Sequence, residues 1–365
     1  MADYYVYTQN LSVGYPKKTV LENIAIGVNR GEILTLIGPN GAGKSTVLKS
    51  IAGQLKLIAG TVYIDKTDRS LISKKVLSQK LSVVFTQRLR TELMTCRDVV
   101  ATGRYPYTGR FGILCAKDRQ KVEEAMALIR ITAFADEDFA KISDGQRQRV
   151  MLARAICQEP DIILLDEPTS YLDIRHKLEF LQLLQNMARE KKLSVIMSLH
   201  ELDLAKKISD RIICVGEHCV ERFGTPQEIF RENYMKTLFG VTTGSFDETT
   251  CGMELEMPKG EPKVFVLAGA ASGQETFRRL QRRGVAFATG ILFENDMDYP
   301  VAKALAAKLV NVKATQRIGM ERLASAKELA SKCESVICCR EHFADWEPEN
   351  RELYEYLQRK PSYRG

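Results

Sequence analysis

One run of residues, from Gly38 to Thr46, has the types and spacing needed to hold a phosphate chain. It reads Gly38-Pro39-Asn40-Gly41-Ala42-Gly43-Lys44-Ser45-Thr46 and matches the pattern G-x-x-x-x-G-K-[ST]. Glycines let backbone amides turn inward around phosphate oxygens, Lys44 supplies positive charge, and the Ser45 hydroxyl is a suitable ligand for Mg²⁺. The segment predicts a nucleotide-phosphate site; the alternative is an ordinary glycine-rich turn.

A pair of acidic residues, Asp166 and Glu167, directly follows the apolar stretch 162–165. Mg²⁺ prefers oxygen ligands, so Asp166 is a candidate metal ligand beside the phosphate site. Glu167 would point differently, and we expect it to orient or deprotonate the attacking water. The simpler interpretation is a polar turn that ends a strand. Combined with the phosphate loop, the pair predicts Mg²⁺-assisted hydrolysis of a nucleoside triphosphate.

The elements that must position these groups are short apolar strands that end in polar residues. The predicted strands are 32–37, 81–85, 162–165 and 194–198. They are followed by the phosphate loop, by Gln87, by the acidic pair and by His200, respectively. Parallel α/β sheets place their ligand sites at the carboxyl ends of strands, so this order predicts such a sheet.

The domain organisation follows from changes in pattern along the 365 residues. We predict a nucleotide-binding domain over 1–241, with a helical subdomain inserted at about 88–145. The stretch 242–262 carries glycines, prolines and acidic residues without periodicity and is typical of a linker. A smaller Rossmann-like α/β domain is predicted over 263–365.

The second domain begins with a strand at 264–268, a turn at 269–273 and a helix at 275–283. A strand at 285–293, an acidic stretch at 294–298 and a helix at 301–309 follow. The turn could bind an anion at the start of its helix, and the acidic stretch could hold a ribose or a metal ion. Solvated loops, a role in bringing subunits together and sensing of a solute are the alternatives.

Bulk properties restrict the class of protein. The net charge of +7 is spread along the chain, so no nucleic acid partner is expected. The nine cysteines form no C-x-x-C pair, which favours reduced thiols. The start of the chain lacks the pattern of a secretory signal, and apolar stretches are far shorter than the roughly 20 residues that cross a bilayer. If the protein drives transport, other subunits form the path.

Further motifs, in their order along the chain, resemble those of ABC ATPases. The segment Ile142-Ser143-Asp144-Gly145-Gln146 resembles the signature sequence of that family, and Ser170-Tyr171-Leu172-Asp173 resembles its D-loop. Gln87 resembles the Q-loop glutamine, His200 the switch histidine and Tyr15 the aromatic residue that stacks on adenine. The resemblance covers about 4–239, a complete P-loop nucleotide-binding domain.

The resemblance implies a mechanism in which ATP and Mg²⁺ lie between two such domains arranged head to tail. Ser143, Gly145 and Gln146 would contact the ATP held by the partner's phosphate loop, and Asp173 would lie at the same interface. His200 would sense the γ-phosphate, and Gln87 would link Mg²⁺ to the helical subdomain, which docks on membrane subunits. Asp144 replaces the usual glycine of the signature, and we expect its side chain to point away from the nucleotide.

The segments 102–112 and 172–176 resemble the ATPases of iron-siderophore, haem and cobalamin importers. That resemblance implies three partners: permease subunits, a second copy of the chain and, indirectly, a substrate-binding protein. It also implies a peripheral location on the cytoplasmic face of the membrane. The alternative is a soluble ABC-type ATPase that acts without a permease. An inactive scaffold is disfavoured because the full set of candidate residues is present, namely Lys44, Ser45, Gln87, Asp166, Glu167 and His200.

Overall fold

The fold is built on open β-sheets whose strands are separated along the chain by helices. The computed structural model describes residues 4–85, 93–109, 111–360 and 363–364. By its internal contacts the chain divides into two units, Met1–Tyr234 and Met235–Gly365. The prediction had drawn this boundary at 241. None of the helices in the described ranges combines the length and apolar character needed to cross a membrane.

In its described residues, the first unit contains eleven strands and nearly all of the predicted nucleotide-site residues. Its strands are β1 (Val6–Tyr15), β2 (Lys18–Ile24), β3 (Gly27–Val28), β4 (Ile33–Ile37), β5 (Ala59–Ile64), β6 (Thr67–Asp68), β7 (Leu81–Val84), β8 (Ile162–Asp166), β9 (Ser194–Ser198), β10 (Arg211–Val215) and β11 (Val220–Gly224). Its α-helices are α1 (Lys44–Ile51), α2 (Lys74–Lys80), α3 (Cys96–Ala101), α4 (Ala116–Leu128), α5 (Asp144–Cys157), α6 (Ile174–Lys191), α7 (Leu202–Ile208) and α8 (Pro226–Ile229).

A six-stranded sheet in the order β11-β10-β4-β9-β8-β7 carries the predicted catalytic groups. All of its neighbouring strands are parallel except β10 and β11. Every residue of β4, β8 and β9 is buried, as expected for central strands of a parallel sheet with both faces covered. A second, antiparallel sheet contains β2, β1, β5 and β6, and β3 also pairs with β1.

The helical subdomain is organised around a buried arginine. Arg104 donates from Nε to Asp118 Oδ1 at 3.0 Å and from Nη1 to Cys157 O at 2.8 Å and Glu159 Oε2 at 3.0 Å. Its guanidinium also lies 4.0 Å from the centre of the Tyr107 ring. Arg104 and Asp118 are both buried. Arg104 therefore fixes the segment 102–112, which resembles a loop of importer ATPases, to α4 and α5.

The second unit is a doubly wound α/β unit, as predicted. Its elements are α9 (Tyr234–Leu238, which begins at the boundary), β12 (Ser245–Asp247), β13 (Gly252–Glu254), β14 (Val264–Leu267), α10 (Gln274–Arg282), β15 (Phe287–Phe293), α11 (Tyr299–Leu305), β16 (Lys308–Val312), α12 (Met320–Lys332), β17 (Ser335–Cys338), α13 (Pro348–Gln358) and β18 (Tyr363–Arg364). The sheet is parallel throughout, in the order β16-β15-β14-β17-β18.

Alternation along β14 explains why helices cover both faces of this sheet. Val264 and Val266 pack with Phe277 of α10, whereas Phe265 and Leu267 join the core of the opposite face. Successive strand residues point to opposite faces, so an apolar run in a strand needs a cover on each side. Two predicted boundaries differ: the predicted linker contains the β12–β13 hairpin, and the helix predicted over 301–309 ends at Leu305.

We predict that Asp118→Asn lowers the free energy of unfolding of the first unit by about 3 kcal/mol, because it leaves the buried Arg104 charge poorly compensated. Hydrogen bonds from Cys115 and Arg104 lower the pKa of Asp118. The stabilisation is therefore present at neutral pH and is lost as the pH falls through the folded value, below the ordinary value of about 3.9. Urea denaturation followed by circular dichroism measures the change.

The control is Glu124→Gln, which removes an exposed ion pair with Lys121 on the same helix. We expect a much smaller loss there, because exposed ion pairs contribute little to stability. Equal losses in the two variants would show that the buried pair has no special role.

Candidate functional site

The phosphate loop connects β4 to α1 in a conformation that requires glycine. Gly38 has φ 147°, and a Cβ atom there would lie 2.1 Å from the Val215 carbonyl oxygen. Gly43 is the N-cap of α1 with φ 106°. Since the loop follows the open carboxyl end of β4, its amides lead directly into a helix N-terminus, an arrangement suited to phosphate.

Lys44 holds its ammonium group inside this loop. Its Nζ donates to Gly38 O at 2.8 Å and to Pro39 O at 2.9 Å, and the residue is 5% exposed. Burial lowers the pKa of Lys44, although the nearby carboxylates of Glu167 and Asp166 oppose this. The loop carbonyls thus fix the lysine in the position where a phosphate chain would need a positive charge.

A network of buried and half-buried hydroxyl and carboxylate groups joins the ends of the central strands to the phosphate loop. Ser45 Oγ donates to Asp166 Oδ1 at 3.0 Å, and Ser198 Oγ donates to the same oxygen at 2.7 Å. The Glu167 amide donates to Ser198 Oγ at 2.9 Å. Ser198 at the end of β9 therefore fixes both members of the acidic pair.

Glu167 and His200 meet at this edge of the sheet, as their positions after β8 and β9 predict. His200 Nε2 lies 2.5 Å from Glu167 Oε1, and Ser170 Oγ donates to Glu167 Oε2 at 3.3 Å. Glu167 adopts the left-handed φ of 51°, which non-glycine residues rarely adopt. The Ser198 contact to its amide helps to hold this conformation.

Glu201, next to His200, is bonded to residues on either side of the predicted D-loop. It accepts from Thr169 Oγ1 at 3.0 Å and from Lys177 Nζ at 2.6 Å. Although burial opposes it, the hydrogen bond from Lys177 lowers the pKa of Glu201. The segment that carries His200 is thus fixed to the start of α6.

The predicted signature sequence forms the start of α5. The Ser143 side chain accepts from the Gln146 amide at 3.2 Å, and the Gln146 side chain accepts from the Ser143 amide at 2.9 Å. Asp144 forms an ion pair with Arg147 at 2.6 Å, and Arg147 also donates to the Ala140 carbonyl. The Asp144 carboxylate is therefore held by its own helix. This pairing explains how a carboxylate can stand within a segment that is predicted to contact phosphate.

The remaining predicted residues lie apart from this network or outside the described part. Asp173 caps α6, where it accepts from the His176 amide at 2.9 Å. Tyr15 ends β1 and is 46% exposed. Gln87 lies outside the described residues, so its predicted role in linking Mg²⁺ to the helical subdomain stays a prediction.

Sequence reasoning did not identify Ser198 or Glu201. In the sequence, Ser198 is the last residue of an apolar strand. Only the pairing register shows that it lies opposite Asp166 on β8 and Leu36 on β4. The sequence signal that could have identified Ser198 is a small polar residue at the carboxyl end of a central strand, where parallel sheets place their ligand sites.

The family model for the ABC transporter matches residues 21–170, and a model described as the MJ0874 family matches residues 287–363. An uncharacterized ABC transporter ATP-binding protein of Methanocaldococcus jannaschii, MJ0873, is 40% identical over 75% of this chain and 94% of its own length. The cobalamin import ATP-binding protein BtuD of Halobacterium salinarum strain R1 is 31% identical over 84% of this chain and 78% of its own length.

Among solved structures, the ATP-binding cassette MJ0796, in a dimeric post-hydrolysis state bound to ADP and Pi, superposes with a TM-score of 0.54. It is 28% identical, and the match covers 60% of this chain and 98% of that one. These matches agree with the phosphate loop, the acidic pair and the signature helix described above. The chain belongs to the ABC transporter ATP-binding proteins, the P-loop ATPases that power ABC transporters.

Proposed function

We propose that this chain is the ATP-hydrolysing subunit of an importer that takes up an iron complex or cobalamin. The main support for ATP hydrolysis is a hydrogen-bond network that joins the phosphate loop to the strand ends. It consists of Ser45, Asp166, Glu167 and Ser198. The relative BtuD, named for cobalamin import, and the resemblance of segments 102–112 and 172–176 to importer ATPases support the solute class.

The donor set at the phosphate loop fits Mg²⁺. The Ser45 hydroxyl and the Asp166 carboxylate lie 3.0 Å apart and offer the oxygen ligands that this ion prefers. When bound, Mg²⁺ would neutralise charge on the phosphate oxygens. Ser45, Asp166 and, from the sequence resemblance, Gln87 are the residues we assign to it.

Each of the predicted site residues has its own role in ATP hydrolysis. The phosphate-loop amides and Lys44 hold the phosphate chain, and Tyr15, exposed at the end of β1, is available to stack on the adenine. Glu167 accepts a proton from, or orients, the attacking water, and the contact with His200 fixes the carboxylate. His200 in turn responds to the γ-phosphate.

The second half of each site would come from another copy of the chain. The amides at the start of α5, together with Ser143, Gly145 and Gln146, face a γ-phosphate across a head-to-tail dimer, with Asp173 at the same interface. Helix N-termini favour negative charge, and the Asp144 side chain is paired with Arg147. ATP would therefore favour the closed dimer because it contacts both subunits only in that state.

The helical subdomain is the surface that we assign to permease subunits. Tyr105, Phe111 and Ile113 are exposed there, at 59%, 88% and 74%, although Arg104 beside them is buried. Exposed apolar groups close together mark interaction surfaces. A permease would place the chain on the cytoplasmic face of the membrane and connect it indirectly to a substrate-binding protein. The alternative, an ABC-type ATPase without a permease, predicts that no polytopic membrane protein co-purifies.

We predict that Glu167→Gln lowers ATP hydrolysis at least about a hundredfold, because the amide cannot accept the proton of the water. The variant still binds ATP, so we expect an ATP-stabilised dimer on size-exclusion chromatography with Mg²⁺. Glu190→Gln, at the exposed end of α6, is the control and should resemble the wild type. Unchanged hydrolysis without a dimer would refute the roles of Glu167 and of the signature sequence together.

We predict that Ser198→Ala lowers kcat about tenfold and leaves KM for ATP nearly unchanged. The substitution leaves the Glu167 amide without its acceptor and removes one donor from Asp166, losses of about 1–3 kcal/mol in a buried site. Steady-state kinetics and thermal unfolding measure the two effects.

Ser194→Ala is the matched control, since Ser194 is a buried serine at the opposite end of β9 that donates to the Asn29 carbonyl. It should lower stability to a similar degree and leave kcat intact. If both variants lose kcat equally, Ser198 acts only through the stability of the strand.

A further inference from the structure

The second unit has a cavity of about 720 Å³ at the carboxyl edge of its parallel sheet. Its walls come from the loops that follow β15, β16 and β17, with Ala270 after β14. The strand order reverses at β14, since β15 and β16 lie on one side of it and β17 and β18 on the other. Open parallel sheets bind ligands in the crevice at such a reversal, and the volume is in the usual range for small molecules.

The turn at 269–273, which the sequence suggested as an anion site, is already occupied by the protein's own carboxylates. The Gly269 and Gly273 amides both donate to Asp298 Oδ2 at 2.9 Å, and the Ala270 amide donates to Asp296 Oδ2 at 2.7 Å. An anion would have to displace these bonds. The structure therefore contradicts the anion interpretation of this turn.

The charged groups around the cavity favour a cation. Two arginines, Arg317 and Arg340, face four carboxylates, those of Asp296, Asp345, Glu347 and Glu349. Arg340 uses each of its three nitrogens, because Nη1 and Nη2 pair with the buried Glu347 and Nε and Nη2 donate to the His342 carbonyl. That pair is neutral, and Asp345 lies 4.0 Å from Arg351 in a second ion pair, so the carboxylates of Asp296 and Glu349 remain against Arg317.

Glu349 is the carboxylate best placed to act on a ligand. In the part of the chain that the structure describes, no hydrogen bond or ion pair engages it, and it lies in the first turn of α13. Asp296 uses each carboxylate oxygen once, for the Ala270 and Asp298 amides, and each oxygen can accept a second donor.

Two buried acceptors belong to residues that are bonded to the lining. Asp298 Oδ1 and Asn350 Oδ1 have no hydrogen-bond partner among the described residues, and these residues are 0% and 1% exposed. Asp298 is bonded through its amide to Asp296, and Asn350 through its side chain to Glu347. Buried acceptors of this kind are rare, but neither residue belongs to the lining of the cavity, so the ligand contacts come from Asp296 and Glu349.

An aromatic surface completes the cavity. Trp346 is 73% exposed, and Phe293 also contributes to the lining. An indole face attracts an ammonium group and also covers aliphatic carbon. Carboxylates beside an exposed tryptophan are the groups expected for an organic cation.

We propose that this crevice binds a small organic amine, whose ammonium groups are held by Asp296 and Glu349 and whose chain lies against Trp346. The ammonium group offers three donors and no acceptor, which matches the excess of acceptors. The cavity is a second ligand site, separate in chemistry from the phosphate site of the first unit.

The test is isothermal titration of the full-length protein with spermidine and putrescine, without ATP or Mg²⁺ so that the amines stay free. We expect saturable binding at one site for at least one of them. Glu349→Gln and Trp346→Ala should each weaken it about five- to tenfold, through the lost charge and the lost aromatic face. Glu355→Gln makes the same charge change at an exposed position of α13 outside the lining, and it should bind like the wild type.

Several outcomes would overturn the proposal. They are no saturable binding of either amine, equal weakening in Glu355→Gln and Glu349→Gln, and binding that neither crevice variant changes. AMP binding that survives Lys44→Ala and is lost in Arg317→Gln would assign the crevice to an anion instead. Melting curves for each variant show whether the second unit is folded.

Discussion

Parallel pairing of the buried strands β4, β8 and β9 is the constraint on which the nucleotide site depends. In this register Ser198 lies opposite both Leu36 and Asp166, so the three strands end at the same level. The phosphate loop, the acidic pair and His200 leave the sheet at that level, and hydrogen bonds of 2.5–3.0 Å connect the groups that result. A slip of one residue would turn the last side chain of a strand to the other face and remove these contacts.

In the nucleotide site, the positive charge of Lys44 and the negative charge of Asp166 are close together, but different groups hold each of them in place. Lys44 is held by loop carbonyls, and Asp166 is held by two serine hydroxyls. Neither depends on the other for its position, although the carboxylates act against the effect of burial on the lysine. Groups fixed in this way need little rearrangement when charge develops on a substrate, which is the basis of electrostatic catalysis.

Local sequence was sufficient for features that are determined within one strand, turn and helix. The phosphate loop, the strands around it and the doubly wound second unit were predicted because glycine spacing and apolar runs are local signals. Features that need partners distant in sequence were missed or misjudged. The role of Ser198 depends on register with β8. An anion site at the turn 269–273 stayed open as one alternative, because the carboxylates that occupy its amides, Asp296 and Asp298, lie more than twenty residues further on.

The contrast between the two turns shows why a glycine-rich segment after a strand does not define a ligand. In the first unit Asp166 accepts from serine hydroxyls, and the adjacent cation is Lys44. In the second unit the corresponding carboxylates accept from the turn amides themselves, and the arginine nearest to them is neutralised by Glu347. The first arrangement leaves a net excess of donors and the second a net excess of acceptors. Equivalent positions on two parallel sheets therefore favour ligands of opposite charge.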